Sequence, residues 1–243
     1  MTTESTATTI AQYVDAHHAD QIAFLREIVR VPSYTPPGNN NPPAEKAAEL
    51  LTKRGYTVER FAVPEQRVRD YGMVSVTNLI VRHKFGNGGP TIALNAHGDV
   101  VPPGDGWSFD PYGGEVKDGR MYGRGVAVSK SDIASFTFAL DALKAAEKSG
   151  AKLNGTVELH FTYDEEFGGL VGPGYLLEQK ATKPDFVIGA SFSYAIVTAH
   201  NGCLQFEVTV HGTATHGSMP ETGHDALQAA NAILNAIYGK LPD

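Results

Sequence analysis

The sequence contains little cysteine, no long apolar run and no large excess of charge. Its one cysteine, Cys203, has no second cysteine to pair with, so an internal disulfide is excluded. No apolar run approaches the ~20 residues that a membrane helix needs, and the residues after Met1 lack the basic and apolar regions of a signal peptide. The formal net charge of −7 argues against nucleic acid or an anionic membrane as the main partner. We therefore predict a cytoplasmic protein with no nucleic-acid and no membrane partner.

Apolar residues, which make up 42% of the 243-residue chain, are sufficient for a sizeable core. Their spacing predicts helices over Ile10 to Val29, Ala44 to Arg54 and Lys130 to Ser149, and strands over Thr57 to Val63, Val76 to His83, Thr91 to Ala96, Val157 to Tyr163 and Phe186 to Gly189. The long loop from Asp99 to Arg120 is typical of a functional segment. Strands that alternate with helices predict an α/β domain over residues 1–198, with a mostly parallel sheet flanked by helices. Its active site is expected beyond the carboxyl ends of the strands.

The last part of the chain, residues 199–243, has a different pattern. It predicts a strand over Cys203 to Val210 and an amphipathic helix over Asp225 to Lys240. One strand and one helix cannot bury their apolar faces by themselves. We therefore predict an incomplete second domain whose helix has an uncovered apolar face, formed by Ala226, Ala230, Ile233, Leu234 and Ile237.

A His-Gly-Asp turn at the end of a predicted strand is the clearest chemical signal. His97 at this end is placed to ligate a metal, and Asp99 is placed to accept its other ring N–H, which fixes the tautomer of a metal-bound imidazole. The alternative is a loop histidine beside a turn aspartate. Taken alone, this motif favours the alternative.

Two further motifs carry titratable groups in loops. Glu165 and Glu166 leave a strand and point different ways, so one can bind a metal while its neighbour acts as a general base; the alternative is a solvated acidic turn. His216 lies in a loop bounded by glycine and proline, where it could donate to an oxyanion or to a substrate carboxylate; the alternative is an exposed loop histidine.

Together these motifs resemble one protein family. Its members are the co-catalytic zinc exopeptidases and deacylases, which include acetylornithine deacetylase, succinyl-diaminopimelate desuccinylase, aminoacylase and glutamate carboxypeptidase. The resemblance extends from about Ile10 to the last residue. It rests on His97-Gly98-Asp99, Trp107-Ser108-Phe109-Asp110-Pro111, Met121-Tyr122-Gly123-Arg124-Gly125, Asp164-Glu165-Glu166 and the His216 loop.

The resemblance implies a two-domain enzyme with a two-metal catalytic domain and an inserted domain that serves as lid and dimer interface. By this resemblance His97 and Glu166 are metal ligands, Asp99 supports His97, and Glu165 is the general base. His216 would reach the active site of a second copy and polarise the scissile carbonyl. The implied partners are a small-molecule substrate and a second copy in a homodimer.

Three departures from the family pattern concern the metal ligands. Val128 stands where the family has an aspartate that bridges both metals, and Ser191 stands near the position of another acidic ligand. The family's last ligand, a histidine far downstream, has no counterpart in this chain. Asp132 lies one helical turn past Val128, and a shift of ~5–6 Å is too large for a substitute ligand. The predicted cofactor is therefore zinc or another divalent metal, bound weakly, singly or not at all.

Three hypotheses for function follow. The first is a metal-dependent hydrolase that cleaves an amide bond in a small N-acyl amino acid or peptide-like substrate. The second keeps the fold and the hydrolysis but uses one metal or none. The third is a non-catalytic member that dimerises through its second domain. The presence of Glu165 and His216 favours the first two hypotheses, whereas the missing acidic ligands favour the last two.

Overall fold

The structure of this chain is a computed structural model that describes residues 2–191, 196, 198–199, 202 and 206–240. The chain divides into two compact units, Met1–Tyr194 and Ala195–Asp243. Among the described residues, no helix has the length and apolar character needed to cross a membrane. The domain boundary after residue 198 stays a prediction.

The first unit contains six helices and seven strands within its described residues. The helices are α1 (Thr3–Ala16), α2 (His18–Val29), α3 (Asn41–Lys53), α4 (Glu65–Asp70), α5 (Lys130–Lys148) and α6 (Pro173–Glu178). The strands are β1 (Val58–Ala62), β2 (Thr77–Phe85), β3 (Thr91–His97), β4 (Glu115–Lys117), β5 (Arg120–Tyr122), β6 (Gly155–Thr162) and β7 (Phe186–Gly189).

Five of these strands form one sheet in the order β1-β2-β6-β3-β7. The pairs β1–β2 and β2–β6 are antiparallel, whereas β6–β3 and β3–β7 are parallel. The α/β class is therefore confirmed, but the sheet is mixed rather than mostly parallel. The reason is that the chain reverses in the five residues between β2 and β3, so β2 runs opposite to β3 and to the strands parallel with it.

One face of the sheet carries the apolar core, because alternate residues of each strand point to the same side. Leu79 and Leu159 lie on this face and share one buried cluster with Phe138 of α5. Helix α5 packs on β3 and β6, and α1 and α2 pack in turn on α5. This arrangement places the beginning of α5 beneath the carboxyl end of β3.

The predicted helix over residues 10–29 is wrong, because the structure divides it into α1 and α2. His17 separates them with a non-helical backbone, φ −108° and ψ 14°. Its Nδ1 donates to the carbonyl oxygen of Tyr13 at 2.8 Å, and its ring stacks on the Tyr13 ring. The histidine therefore caps the end of α1, a local interaction that apolar spacing alone does not show.

Three other predictions about local structure also need correction. Helix α3 begins before the predicted Ala44, because Pro42 and Pro43 occupy its first turn, where a missing N–H has no cost. The loop from Asp99 to Arg120 contains β4, which pairs with β5 as a short hairpin. Helices α4 and α6 were not predicted, and each has only six residues. The remaining helices and strands of this unit lie within about two residues of their predicted bounds.

The opposite face of the sheet carries a buried polar cluster. Nε2–H of His160 donates to Glu158 at 2.7 Å, and the Glu158 carboxylate also accepts from Arg82 and Thr182. Burial raises the pKa of Glu158, but these three hydrogen bonds prevail and hold it below its ordinary value. Burial lowers the pKa of His160 and outweighs the opposing effect of Glu158. The cluster therefore requires a neutral histidine beside an ionised glutamate.

Acid should weaken the fold through this cluster. Below the ordinary histidine pKa of 6.5 the unfolded chain binds a proton that folded His160 does not, so the free energy of unfolding should fall as the pH drops below that value. His160→Gln removes this titration. Urea unfolding between neutral pH and pH ~5 should therefore show a shallower decline in the variant. Equal slopes in the variant and the parent chain would contradict the prediction.

The second unit contains one α-helix among its described residues, α7 (Ala226–Tyr238), with Asp225 as its N-cap, and a 3₁₀ turn at Pro220–Thr222. The predicted helix over Asp225 to Lys240 is thus confirmed within two residues. The predicted strand is not: residues 203–205 lie outside the described residues, and 206–210 belong to no strand. No residue of α7 is buried, and Leu234 is 51% exposed. Of the predicted apolar face, Ile233 and Leu234 are exposed, whereas Ala226, Ala230 and Ile237 are partly buried. The uncovered face is therefore confirmed in part.

Strand β7 is also exposed, although it belongs to the sheet. It lies at one end of the strand order and pairs only with β3 within the described residues. Phe186, Val187 and Ile188 are 62%, 60% and 53% exposed. Because successive side chains of a strand alternate, apolar groups are exposed on both faces of β7.

Candidate active site

The candidate site lies where β3 and β6 end. The two strands are parallel, and His97 and Thr162 are register partners at their carboxyl ends. The N–H of Gly98 donates to the carbonyl oxygen of Thr162 at 2.8 Å, so the two chains remain adjacent as they leave the sheet. The His-Gly-Asp turn and the segment with both glutamates therefore meet at one edge, as predicted.

Gly98 is required for this close approach. A Cβ added there would lie 2.3 Å from Cε1 of Tyr163, a side chain that is 1% exposed. The buried ring has no space to move away, so any side chain at position 98 must push the two turns apart.

Gly98→Ala should therefore destabilise the fold by ~1–3 kcal/mol, the usual cost of overpacking. Urea unfolding of the variant measures this cost. Gly88→Ala is the matched control, since a Cβ at Gly88 meets nothing within 4 Å. Equal stability of both variants would count against the packing argument.

The segment after β6 is held as a tight turn by Asp164. Its carbonyl oxygen accepts from the N–H groups of Phe167 and Gly169, both at 3.1 Å. Its carboxylate accepts from the N–H of Val171 at 2.8 Å and is 0% exposed. Burial raises the pKa of Asp164 to about 6, against the lowering effect of its backbone hydrogen bonds. Asp164 thus anchors the short 3₁₀ turn of Glu165–Phe167.

Asp99 holds the two glutamates from the other side. Its buried carboxylate accepts from the N–H of Glu165 at 3.2 Å and from the N–H of Glu166 at 3.0 Å. The nearest acceptor for Nδ1 of His97 is the carbonyl oxygen of Asp99, at 2.9 Å, whereas the carboxylate lies at 3.4 Å. The predicted support of His97 by Asp99 is thus made mainly by the main chain. The Asp99 carboxylate instead holds the main chain of the Glu165–Phe167 turn, the glutamate turn.

The hydrogen bond from Nδ1 of His97 to the carbonyl oxygen of Asp99 assigns the ring proton to Nδ1 and leaves the Nε2 lone pair available. Nε2 lies 3.8 Å from the Glu165 carboxylate. Among the described residues, His97, Glu165 and Glu166 form a group whose possible ligand atoms all lie within 4.8 Å of one another. A histidine nitrogen and carboxylate oxygens are the ligands of many catalytic zinc sites. The three residues therefore suit a divalent cation.

The charges of this group also favour a cation. Burial, followed by the charge of Glu165, raises the pKa of Glu166. Burial opposes a charge on His97, but Asp99 and Glu165 prevail and raise the pKa of this histidine. The charge of Glu165 acts in the same direction on both residues, which shows a negative potential at the site that a bound cation would relieve.

His97 and Glu165 line a cavity of about 440 Å³. Val128 and Ser191 line the same cavity, so two of the three departures from the family pattern lie at the site itself. Asp132 does not belong to the group of possible ligands in the described part of the chain. The structure thus agrees with the prediction that Asp132 does not replace the missing aspartate.

His216 belongs to the second unit, and its ring is exposed. The N–H of Ser218 donates to its Nδ1 at 3.2 Å, and the Ser218 hydroxyl lies 2.8 Å from the same atom. The imidazole proton therefore lies on Nε2, which can donate outward. The role assigned to His216 by resemblance stays a prediction.

Two contributions to the site were not predicted. Glu165 lies close enough to His97 and Glu166 to count as a third group around one cation, and Asp164 anchors the turn that carries both glutamates. The sequence Asp164-Glu165-Glu166 shows that this segment is acidic, but it does not indicate the hydrogen bonds by which Asp164 anchors the turn. They depend on how the turn folds back on β6.

With this geometry established, comparison with known proteins identifies the family. Residues 93–242 match the model of peptidase family M20/M25/M40. The chain belongs to this family.

Curated relatives support the same assignment. The succinyl-diaminopimelate desuccinylase of Gluconobacter oxydans (strain 621H) is 32% identical over 233 residues, which are 91% of this chain and 57% of that protein. The enzyme of the same name from Parvibaculum lavamentivorans (strain DS-1 / DSM 13023 / NCIMB 13966) is 33% identical over 235 residues, 92% of this chain and 56% of that protein. This chain therefore spans a little over half the length of these relatives.

Solved structures share the fold. Human carnosine dipeptidase 1 matches with a TM-score of 0.59 and 21% identity, over 75% of this chain and 40% of its own. The dipeptidase Dug1p from Saccharomyces cerevisiae matches with a TM-score of 0.56 and 20% identity, over 72% of this chain and 38% of its own. At these identities the likeness shows the fold alone.

Proposed function

We propose that this protein is a metal-dependent hydrolase that cleaves an amide bond in a small N-acyl amino acid or peptide-like substrate. The observation that carries the proposal is the group of His97, Glu165 and Glu166, whose possible ligand atoms lie within 4.8 Å of one another. The name of the curated relatives, succinyl-diaminopimelate desuccinylase, favours the amide bond of an N-acyl amino acid.

In this proposal His97 and Glu166 hold a divalent cation. When bound, such a cation polarises a carbonyl group and lowers the pKa of water. Glu166 suits this role because it is the less exposed glutamate and is fixed by Asp99. Zinc fits the His and Glu ligands, and the identity of the metal is part of the proposal.

Glu165 is the proton carrier of the proposed reaction. Its side chain is 61% exposed, so it can reach both the substrate and water. It removes a proton from the attacking water as the carbon–oxygen bond forms, and it delivers this proton to the amide nitrogen as the carbon–nitrogen bond breaks. The products are a carboxylic acid and an amine.

His216 would stabilise the oxyanion through its Nε2–H. The proposal places this histidine at the active site of a second copy, in a homodimer that acts on a small-molecule substrate. The exposed ring with its proton on Nε2 supports this role. A cytoplasmic location remains part of the prediction from the sequence.

The test is hydrolysis of a panel of N-acetyl and N-succinyl amino acids and dipeptides, with the metal-loaded chain and after treatment with a chelator. We expect turnover of at least one class, loss with the chelator and recovery with zinc. Turnover that survives the chelator would support the metal-independent alternative. A folded, metal-loaded protein with no turnover on any substrate would support the non-catalytic alternative.

A further inference from the structure

We propose that the active-site cavity of this chain takes one divalent cation and excludes a second. This inference rests on the proposed function, because it concerns the same cation. It is carried by the side chains that line the rest of the cavity, which are neutral.

The charge of the three possible ligands matches one cation. His97 is neutral when its Nε2 is a ligand, and Glu165 and Glu166 together supply two negative charges. These charges balance one dication.

Among the described residues, the other side chains that line the cavity carry no charge. Val128 and Ala190 offer only hydrocarbon, whereas Asn95, Thr162 and Ser191 offer a neutral amide or hydroxyl. Val128 is 36% exposed, so its methyl groups form an accessible part of this wall.

A second dication would therefore have no negative charge at the site to balance its own charge. Two dications at ~3.5–4 Å, the spacing of two-metal sites, repel each other about four times as strongly as two single charges. A carboxylate between them reduces this repulsion, and Val128 supplies neither charge nor lone pair. A second ion would also have to share Glu165 or Glu166 with the first.

The nearby buried acids do not supply the missing charge. The Asp99 carboxylate accepts from two backbone N–H groups of the glutamate turn, and its charge faces buried Lys130. The Asp164 carboxylate accepts from the N–H of Val171 and lies against Gly172. In the described part of the chain, neither joins the group of possible ligands.

Metal stoichiometry tests the inference directly. The chain is stripped with a chelator, titrated with Zn²⁺ by calorimetry, and analysed for zinc after dialysis. The double variant Val128→Asp/Ser191→Asp adds carboxylates at both of these cavity positions, so that four negative charges face two dications. Val128→Asn/Ser191→Asn is its matched control with the same shape and no charge. We expect one equivalent for the parent chain, one for the neutral control and two for the charged double variant. Circular dichroism checks that each variant is folded.

The outcomes that would contradict this inference differ from those that would contradict the proposed hydrolysis. Two equivalents in the parent chain, or one in a folded Val128→Asp/Ser191→Asp variant, would overturn the inference and leave the proposed hydrolysis standing. No zinc in the parent chain would overturn both. One equivalent, lost in His97→Ala, would support the inference even if no substrate were hydrolysed. That combination would reject only the proposed function.

Discussion

Glu165→Gln is expected to lower kcat by ~10²–10⁴-fold and to leave KM nearly unchanged, because general-base catalysis contributes this much to the rate. Glutamine keeps the shape of the side chain but cannot accept the proton from water. The N–H of residue 165 still donates to Asp99, so the turn remains in place. Steady-state kinetics on the best substrate of the panel measures the effect.

Glu115→Gln is the control for this experiment, since Glu115 is exposed in β4, within the Glu115–Tyr122 hairpin rather than the site. It should retain the kinetics of the parent chain. Zinc stoichiometry of Glu165→Gln should stay at one equivalent, which separates loss of the base from loss of the metal. An unchanged kcat would remove Glu165 from the base role.

Asp99→Asn is expected to weaken zinc binding by ~10–100-fold, the usual cost of removing a group that orients metal ligands. The asparagine oxygen can accept from only one side, and its NH₂ group would face one of the N–H groups of Glu165 and Glu166. The carbonyl oxygen that holds Nδ1 of His97 is kept in the variant. The loss should therefore come from the glutamate turn.

Zinc calorimetry measures this change, and Asp105→Asn, in the exposed part of the same loop, is the control. Nitrogen chemical shifts of the His97 ring should still show the proton on Nδ1 in Asp99→Asn. A zinc affinity equal to that of the parent chain would show that the hydrogen bonds from Glu165 and Glu166 to Asp99 have no role in metal binding. A shift of the His97 proton would instead assign the effect to the histidine.

Much of the first unit could be predicted because its local patterns agree with its tertiary structure. β3 begins at the predicted residue, and α5 ends one residue before the predicted bound, since an amphipathic helix and short apolar runs bury the sides that their spacing indicates. The meeting of His97 with Glu166 also followed from the sequence, because carboxyl ends of parallel neighbours share an edge.

The contacts that were not predicted depend on tertiary register or on single side chains. Whether the Asp99 carboxylate bonds to His97 or to the N–H groups of Glu165 and Glu166 is decided by how the two turns face each other. The break at His17 depends on one side-chain hydrogen bond. The mixed sheet depends on which strands pair with one another, and the spacing of apolar residues does not determine that pairing.

The exposed strand β7 has a consequence for the protein in solution. Sheet edges in stable monomers are normally blunted by charged side chains or covered, because a bare edge recruits other chains. The Phe186–Gly189 edge has no charged residue, and apolar groups project from both of its faces. This chain should therefore self-associate along this edge as its concentration rises, and Val187→Lys should reduce the self-association. Light scattering over a dilution series of the variant and of the parent chain would measure this difference.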